Sequence, residues 1–163
     1  MRIQLDKVQP KNRIQLEQLI DYAFKHNIYD LNFIDTSKIT DMQELFGYVE
    51  HDFDVSGWDV SNVKNMSYMF YRCYKFTGKG IGNWDVSNVT DMNKMFYNCK
   101  NFDCDLSNWD VSNVIDMKFT FNYCLNFKGK GLEIWDVSNI HAMYCVFKNC
   151  VNLTIPSWYK SNE

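Results

Sequence analysis

Long apolar runs are missing from this chain. No stretch of its 163 residues approaches the roughly 18 consecutive apolar residues that cross a membrane as a helix, which argues against membrane insertion. Residues Met1 to Pro10 lack the apolar centre, roughly 7–15 residues long, of a secretory leader. The expected location is therefore cytoplasmic if Met1 is the native start, and cell surface or secreted if an export signal has been removed. An excess of positive charge is also missing: the net charge of −3 is close to balanced and no basic cluster is long enough for a nucleic-acid footprint or a membrane-surface patch. Histidine is rare, with His26, His51 and His141 scattered. No nucleophile elbow, paired acid and base motif or nucleotide fingerprint is present, so no catalytic residue is assigned and a non-enzyme is expected. The six cysteines contain no C-x-x-C pair and no Cys/His cluster, so neither a metal nor another cofactor is expected.

What the chain does have is repetition. W-D-V-S-N-V stands at Trp58–Val63, Trp84–Val89 and Trp109–Val114, followed by W-D-V-S-N-I at Trp135–Ile140. The tryptophans are 26, 25 and 26 residues apart, and a fixed period in this range marks a stack of repeated units. Degenerate copies begin at Ile34 and Trp158, giving six registers. Columns follow from the alignment: Leu31, Val55, Ile81, Leu106, Leu132 and Ile155; Met42, Met66, Met92, Met117 and Met143; Phe46, Phe70, Phe96, Phe121 and Phe147. Each unit of a stack buries its apolar face only against its neighbours, which is what such columns supply. A hydrophobic fraction of 46% provides ample material for that core.

Within a unit, Trp109 and Val111 alternate with Asn108, Asp110 and Ser112, the pattern of a short half-buried strand. Val89, Met92, Met95, Phe96 and Cys99 then fall at helical spacing, with Asn88 and Asp91 placed to cap a first turn. The expected fold is an α/β solenoid, a leucine-rich-repeat-like stack of about six strand–turn–helix rungs of 23–26 residues with an N-terminal capping helix. Residues 1–27 form the capping segment, with Ile14, Leu16, Leu19, Ile20 and Phe24 as its apolar positions, and residues 28–163 form the stack, its last rung incomplete. The glycine-rich connections Thr77–Gly82 and Lys128–Gly131 lack P-loop spacing and read as turns.

The run W-D-V-S-N-V-T-D-M-N-K-M-F-Y-N-C-K-N-F, Trp84 to Phe102, resembles the BspA-like repeats of bacterial surface proteins, a divergent, mycoplasma-lipoprotein-associated branch of leucine-rich repeats. The similarity covers roughly residues 28–162. It implies a solenoid of short strands and helices with a role in adhesion or protein binding.

Two groups of residues bear on function. Cys73, Cys99, Cys124 and Cys150 recur with the repeat and read as small buried thiols. The column Asp59, Asp85, Asp110 and Asp136 stacks one carboxylate per rung on the expected strand-lined face. Such a column either accepts bonds from its own turns or meets a calcium ion or a basic partner. Together with Asn83 and Asn108, which flank the strand at positions that vary between rungs, these aspartates are the candidate partner-binding residues. Exposed Tyr68, Tyr71, Tyr74, Lys118 and Tyr144 add a variable, tyrosine-rich surface suited to protein recognition. The expected function is a protein-binding module, with an assembly unit that self-associates through its uncapped C-terminal rung as the alternative.

Overall fold

The computed structural model describes residues 7–160. It contains one α-helix, α1 (Arg13–Lys25), and two short 3₁₀ turns, Ile81–Asn83 and Leu132–Ile134. Among the described residues no extended strand forms. Neighbouring units touch through isolated parallel bridges such as Asn65↔Asp91, Asp91↔Asp116 and Asp116↔Ala142. The repeats therefore stack, but not from the strands and helices that their spacing predicts.

The pitch of the stack explains the absence of helices. Phe46, Phe70, Phe96, Phe121 and Phe147 form one column with ring centroids 5.6, 5.3, 5.5 and 5.7 Å apart. A helix with its side chains is about 10–12 Å across, so helices cannot follow one another at that rise. The Met-x-x-Met-Phe segment instead runs as linked four-residue turns. Met69, Tyr71 and Cys73 donate their N–H groups to the carbonyls three residues back, at 3.2, 2.9 and 3.0 Å. The intervening N–H groups of Met66, Tyr68, Phe70 and Arg72 donate to Asp91, Asn93, Met95 and Tyr97 of the next repeat, at 2.8–2.9 Å.

This second set of bonds has one direction. The same four positions of each repeat donate forward at every interface, from Met42 to Asn65 and onward to Tyr123 bonding Lys148. The geometry requires left-handed backbone at regular places, and non-glycine residues take it: Tyr68 (φ 58°), Arg72 (φ 60°), Lys94 (φ 52°), Asn98 (φ 61°), Phe119 (φ 58°) and Tyr123 (φ 61°). Each such residue costs about 1–2 kcal/mol relative to right-handed backbone, offset here by a main-chain bond to the neighbouring repeat.

The expected strand half is also a series of corners. Asp105, Asp110 and Asp116 each accept the N–H two residues on, at 3.0, 3.0 and 2.9 Å, closing three Asx turns within one repeat. Trp109 and Val114 close further turns on Leu106 and Val111. Asn88 and Asn113 cap no helix. Their side-chain amides donate to Ser61 and Ser87 of the preceding repeat, both at 2.7 Å.

The core is aromatic. A second phenylalanine column, Phe53, Phe76, Phe102 and Phe127, packs beside the first, with Phe70–Phe76 and Phe96–Phe102 centroids both 4.2 Å apart. All of these rings are buried, each contributing about 1.5–3 kcal/mol by leaving water. Polar atoms inside the stack are paired backward: Trp58, Trp84, Trp109, Trp135 and Trp158 donate their indole N–H to the preceding repeat at Leu31, Val55, Ile81, Leu106 and Leu132.

Helix α1 closes the N-terminal end. Asn12 caps it by accepting the Gln15 N–H at 3.0 Å, and Leu16, Ile20 and Ala23 are buried. Ile14, expected on the apolar face, points outward at 65% exposure. In the glycine-rich connections Gly80 and Gly131 sit at φ 79° and 91°, where a Cβ would lie 2.3 Å from Ser56 and 2.2 Å from Ser107. These segments are turns, as their spacing predicts.

Candidate functional site

The repeated aspartates are occupied by their own turns. Asp59, Asp85, Asp110 and Asp136 accept the N–H groups of Ser61, Ser87, Ser112 and Ser138 at 3.0, 3.1, 3.0 and 3.0 Å. Bonds from Ser112 and Ser138, side chain first and then backbone, hold the Asp110 and Asp136 carboxyls below the usual carboxylate range. All four remain exposed. Asn83 and Asn108 come together at a shallow groove of about 340 Å³ with Lys79, Asp103 and Asp105. The lysines of the return loops neutralise carboxylates one repeat back: Lys128 pairs with Asp103, and Lys130 with Asp105 at 2.6 Å.

The repeat cysteines are structural. The thiols of Cys73, Cys99, Cys124 and Cys150 donate to Phe46, Phe70, Phe96 and Phe121 of the preceding repeat at 2.9, 2.9, 3.0 and 2.8 Å. All six cysteines are free. Burial pushes the Cys73 and Cys150 thiols up to about 12, and raises those of Cys99 and Cys124 well above the ordinary value.

A different surface gathers the residues that vary. The left-handed positions and their neighbours project from one side of the stack, because alternating backbone hands turn the invariant residues inward and the variable ones out. There, Tyr48, Tyr71, Tyr97 and Tyr123 run from repeat to repeat with centroids 5.4, 5.1 and 6.2 Å apart. Phe119 and Tyr144 continue the aromatic surface at 5.3 Å. Cations are interleaved. The Arg72 guanidinium lies 5.8 and 5.4 Å from the Tyr48 and Tyr71 rings, and the Lys94 ammonium 5.0 and 5.5 Å from Tyr68 and Phe119.

At one end of this ladder a pocket of about 240 Å³ opens among Tyr97, Phe119, Asn122, Tyr123, Tyr144 and Lys148. Asn122, 3% exposed, donates to the Cys145 carbonyl at 3.1 Å and leaves its own Oδ1 unpaired. Of the tyrosines singled out from the sequence, Tyr68, Tyr71 and Tyr144 join the ladder. Tyr74 lies under Lys100 instead, at 5.2 Å, and Lys118 is paired with Asp116 at 2.9 Å. Tyr48, Arg72, Lys94, Tyr97, Phe119 and Tyr123 escape sequence reasoning because their outward position depends on the left-handed turns. Their signal is variability at three fixed offsets from the column phenylalanine, two before it and one and two after it.

Among the described residues no helix is long and apolar enough to cross a membrane. No curated protein and no solved structure matches the chain. A family model matches it twice, over residues 14–128 and 70–162. The chain belongs to the family described as Mycoplasma protein of unknown function, DUF285, which is related to the BspA-like leucine-rich repeats.

Proposed function

We propose that this protein is a non-enzymatic binding module, a leucine-rich-repeat-like stack that recognises a protein partner through its tyrosine and cation ladder. The observation that carries the reading is the segregation of side chains. Residues common to all repeats form the core and the corners, while Tyr48, Tyr68, Tyr71, Arg72, Lys94, Tyr97, Phe119, Tyr123 and Tyr144 share one side, with Tyr48, Tyr123 and Tyr144 exposed and the others half-buried. Tyrosine and arginine are the residues most enriched where protein interfaces concentrate their binding energy. The repeat thiols support a non-catalytic role, since each is bonded to main chain and held protonated by burial.

Affinity capture with three baits tests the reading: the unaltered protein, a Tyr71→Ser/Tyr97→Ser variant and an Asp85→Asn/Asp110→Asn variant. Proteins retained by the first and third baits and lost from the second are expected. Loss confined to the aspartate variant transfers the site to the aspartate column. Equal retention by all three baits excludes both faces.

A further inference from the structure

Charge is sorted around the stack as the aromatic rings are. In each repeat the ladder and the corner after it are built from the nine residues that run from three before the column phenylalanine to five after it. In the first repeat this window, 43–51, holds Glu44 and Glu50. In the next four, 67–75, 93–101, 118–126 and 144–152, it holds Arg72, Lys75, Lys94, Lys100, Lys118 and Lys148 and not one carboxylate. The aspartates fall in the segments between. There Asp85, Asp110 and Asp136 close Asx turns, and Asp103 and Asp105 meet the return-loop lysines. A chain whose net charge is −3 therefore carries one basic side.

Most of those cations are uncommitted. Asp91 and Asp116 border the basic side, but Asp116 is taken by Lys118 at 2.9 Å, and half-buried Asp91 accepts the Asn93 N–H. Arg72, Lys75, Lys94, Lys100 and Lys148 form no ion pair among the described residues. Arg72 and Lys94 lie on the ladder rings, and Lys100 lies 5.2 Å from the Tyr74 ring. A ring face attracts a cation without cancelling its charge, so each still offers that charge to a partner. The Arg72 Nε is enclosed without an acceptor, while its two terminal nitrogens stay open, the edge that a carboxylate grips with two bonds.

Building on the protein-binding reading, we infer that the ladder takes an extended acidic peptide segment. Its carboxylates sit on Arg72, Lys94 and Lys148, and its intervening side chains lie on the tyrosine rings. These three cations belong to repeats one and then two steps apart, at 5.3–5.7 Å per step. A segment of about five extended residues, at about 3.3 Å each, reaches all of them. Lys148 stands at the pocket of about 240 Å³ beside Tyr97, Phe119 and Tyr144, where one side chain of the segment enters. A nucleic acid is the poorer occupant: charged about every 1.7 Å as a duplex, it brings its surplus charge against the aspartate corners. A peptide places few carboxylates, where the cations stand.

Titration of the ¹⁵N-labelled protein with capped heptapeptides tests this. The probes are Glu-Tyr-Glu-Ser-Glu-Tyr-Glu and its counterparts with Gln or Lys in place of Glu. The Glu peptide should bind and shift the amides of Tyr71, Arg72, Lys94 and Lys148. The Gln peptide should bind at least about tenfold more weakly and the Lys peptide not at all. Raising salt from about 50 to about 300 mM should weaken the Glu peptide at least about threefold and leave the Gln peptide unchanged. Arg72→Gln/Lys94→Gln, with an otherwise unaltered amide spectrum, should reduce the Glu peptide to the affinity of the Gln peptide. Asp85→Asn/Asp110→Asn should bind it as the unaltered protein does. Equal binding of the Glu and Gln peptides, lost in Tyr71→Ser/Tyr97→Ser, overturns the acidic preference and leaves the protein-binding reading standing. Binding of none of the peptides also overturns it, and the affinity capture then decides that reading alone. A Glu peptide indifferent to both ladder variants, or a short oligothymidylate that binds more tightly than it, overturns the inference as well.

Discussion

The indole N–H of Trp109 donates to the main-chain carbonyl of Ile81, 28 residues earlier, at 2.9 Å. Both residues are buried, at 3% and 0% exposure, and the same bond recurs along the stack. The tryptophan therefore does two things: it fills the core and gives a second donor to a carbonyl that already accepts the Trp84 N–H of its own corner at 3.0 Å. Trp109→Phe keeps an aromatic ring and abandons the carbonyl. Stability should fall by about 1–3 kcal/mol, one lost hydrogen bond to a carbonyl that keeps its other donor plus a partly filled space. Trp158→Phe, at the half-buried end, should lose less. Urea denaturation of the two variants measures the difference, and an equal loss would show that the indole bond has no special weight inside the stack.

The thiols divide by environment. Cys73, Cys99, Cys124 and Cys150 are bonded to phenylalanine carbonyls with their ionisation pushed upward by burial, the first three fully enclosed, while Cys150, Cys104 and Cys145 are partly exposed. Alkylation requires thiolate and access. At pH 8 a small alkylating reagent should modify Cys145 first, with Cys104 slowed by the burial that raises its pKa. Cys150, partly covered and with its pKa raised to about 12, should follow slowly, and Cys73, Cys99 and Cys124 should react only after denaturant is added. Peptide mass mapping of a time course reads the order, and early modification of Cys99 would contradict its placement in the core.

Acid should weaken the return-loop contacts. Hydrogen bonding from Lys130, then from Ser107, lowers the Asp105 pKa from 3.8 to about 2. A carboxyl whose folded pKa lies below its unfolded one stabilises the fold above the unfolded pKa and loses that contribution as pH falls through the folded value. The window is therefore between about pH 4 and pH 2. Asp105 is fully exposed, so the effect is small and screened by salt. Asp105→Asn should show a shallower decline of urea midpoint across that window than the unaltered protein. Identical slopes at low salt would remove Asp105 from the acid response.

How much of this was legible beforehand depends on which property each residue reports. Trp84, Met92, Phe96 and Cys99 were placed in the core by recurrence alone, because burial in a stack requires the same residue at the same register. Their backbone was misread because the spacing of Val89, Met92, Met95, Phe96 and Cys99 suits one face of a helix and a chain of linked turns equally well. What separates the two is the rise per repeat, fixed near 5.5 Å by ring stacking such as that between Phe96 and Phe121. No local pattern carries that distance. The Asp110 column was legible as one that bonds its own turns, whereas Asp105 and Asp116, each also bonded two residues onward, were the missed local sign of further corners. The aromatic ladder was only partly visible, since Tyr71 and Tyr97 face outward as a consequence of left-handed backbone at Arg72 and Asn98.

Arg72 and Asn98 occupy the same position in consecutive repeats, with φ 60° and 61°. Asparagine tolerates left-handed backbone far better than arginine, whose Cβ meets the following carbonyl. Each carries an unpaired buried atom, Nε in Arg72 and Oδ1 in Asn98. Against these stand two exposed cation–ring contacts, with Tyr48 and Tyr71, worth about 0.5–1 kcal/mol each. The two unpaired atoms offset one another, so the backbone cost of about 1–2 kcal/mol stands against ring contacts of about the same sum. Arg72→Asn should therefore change stability by no more than about 1 kcal/mol while weakening capture of the partner by the ladder. Thermal unfolding and quantitative capture with the same preparation check both together. A variant that still binds at full strength would show that this arginine plays no part in recognition. One that is destabilised by more than that would mean that its ring contacts outweigh the backbone it strains.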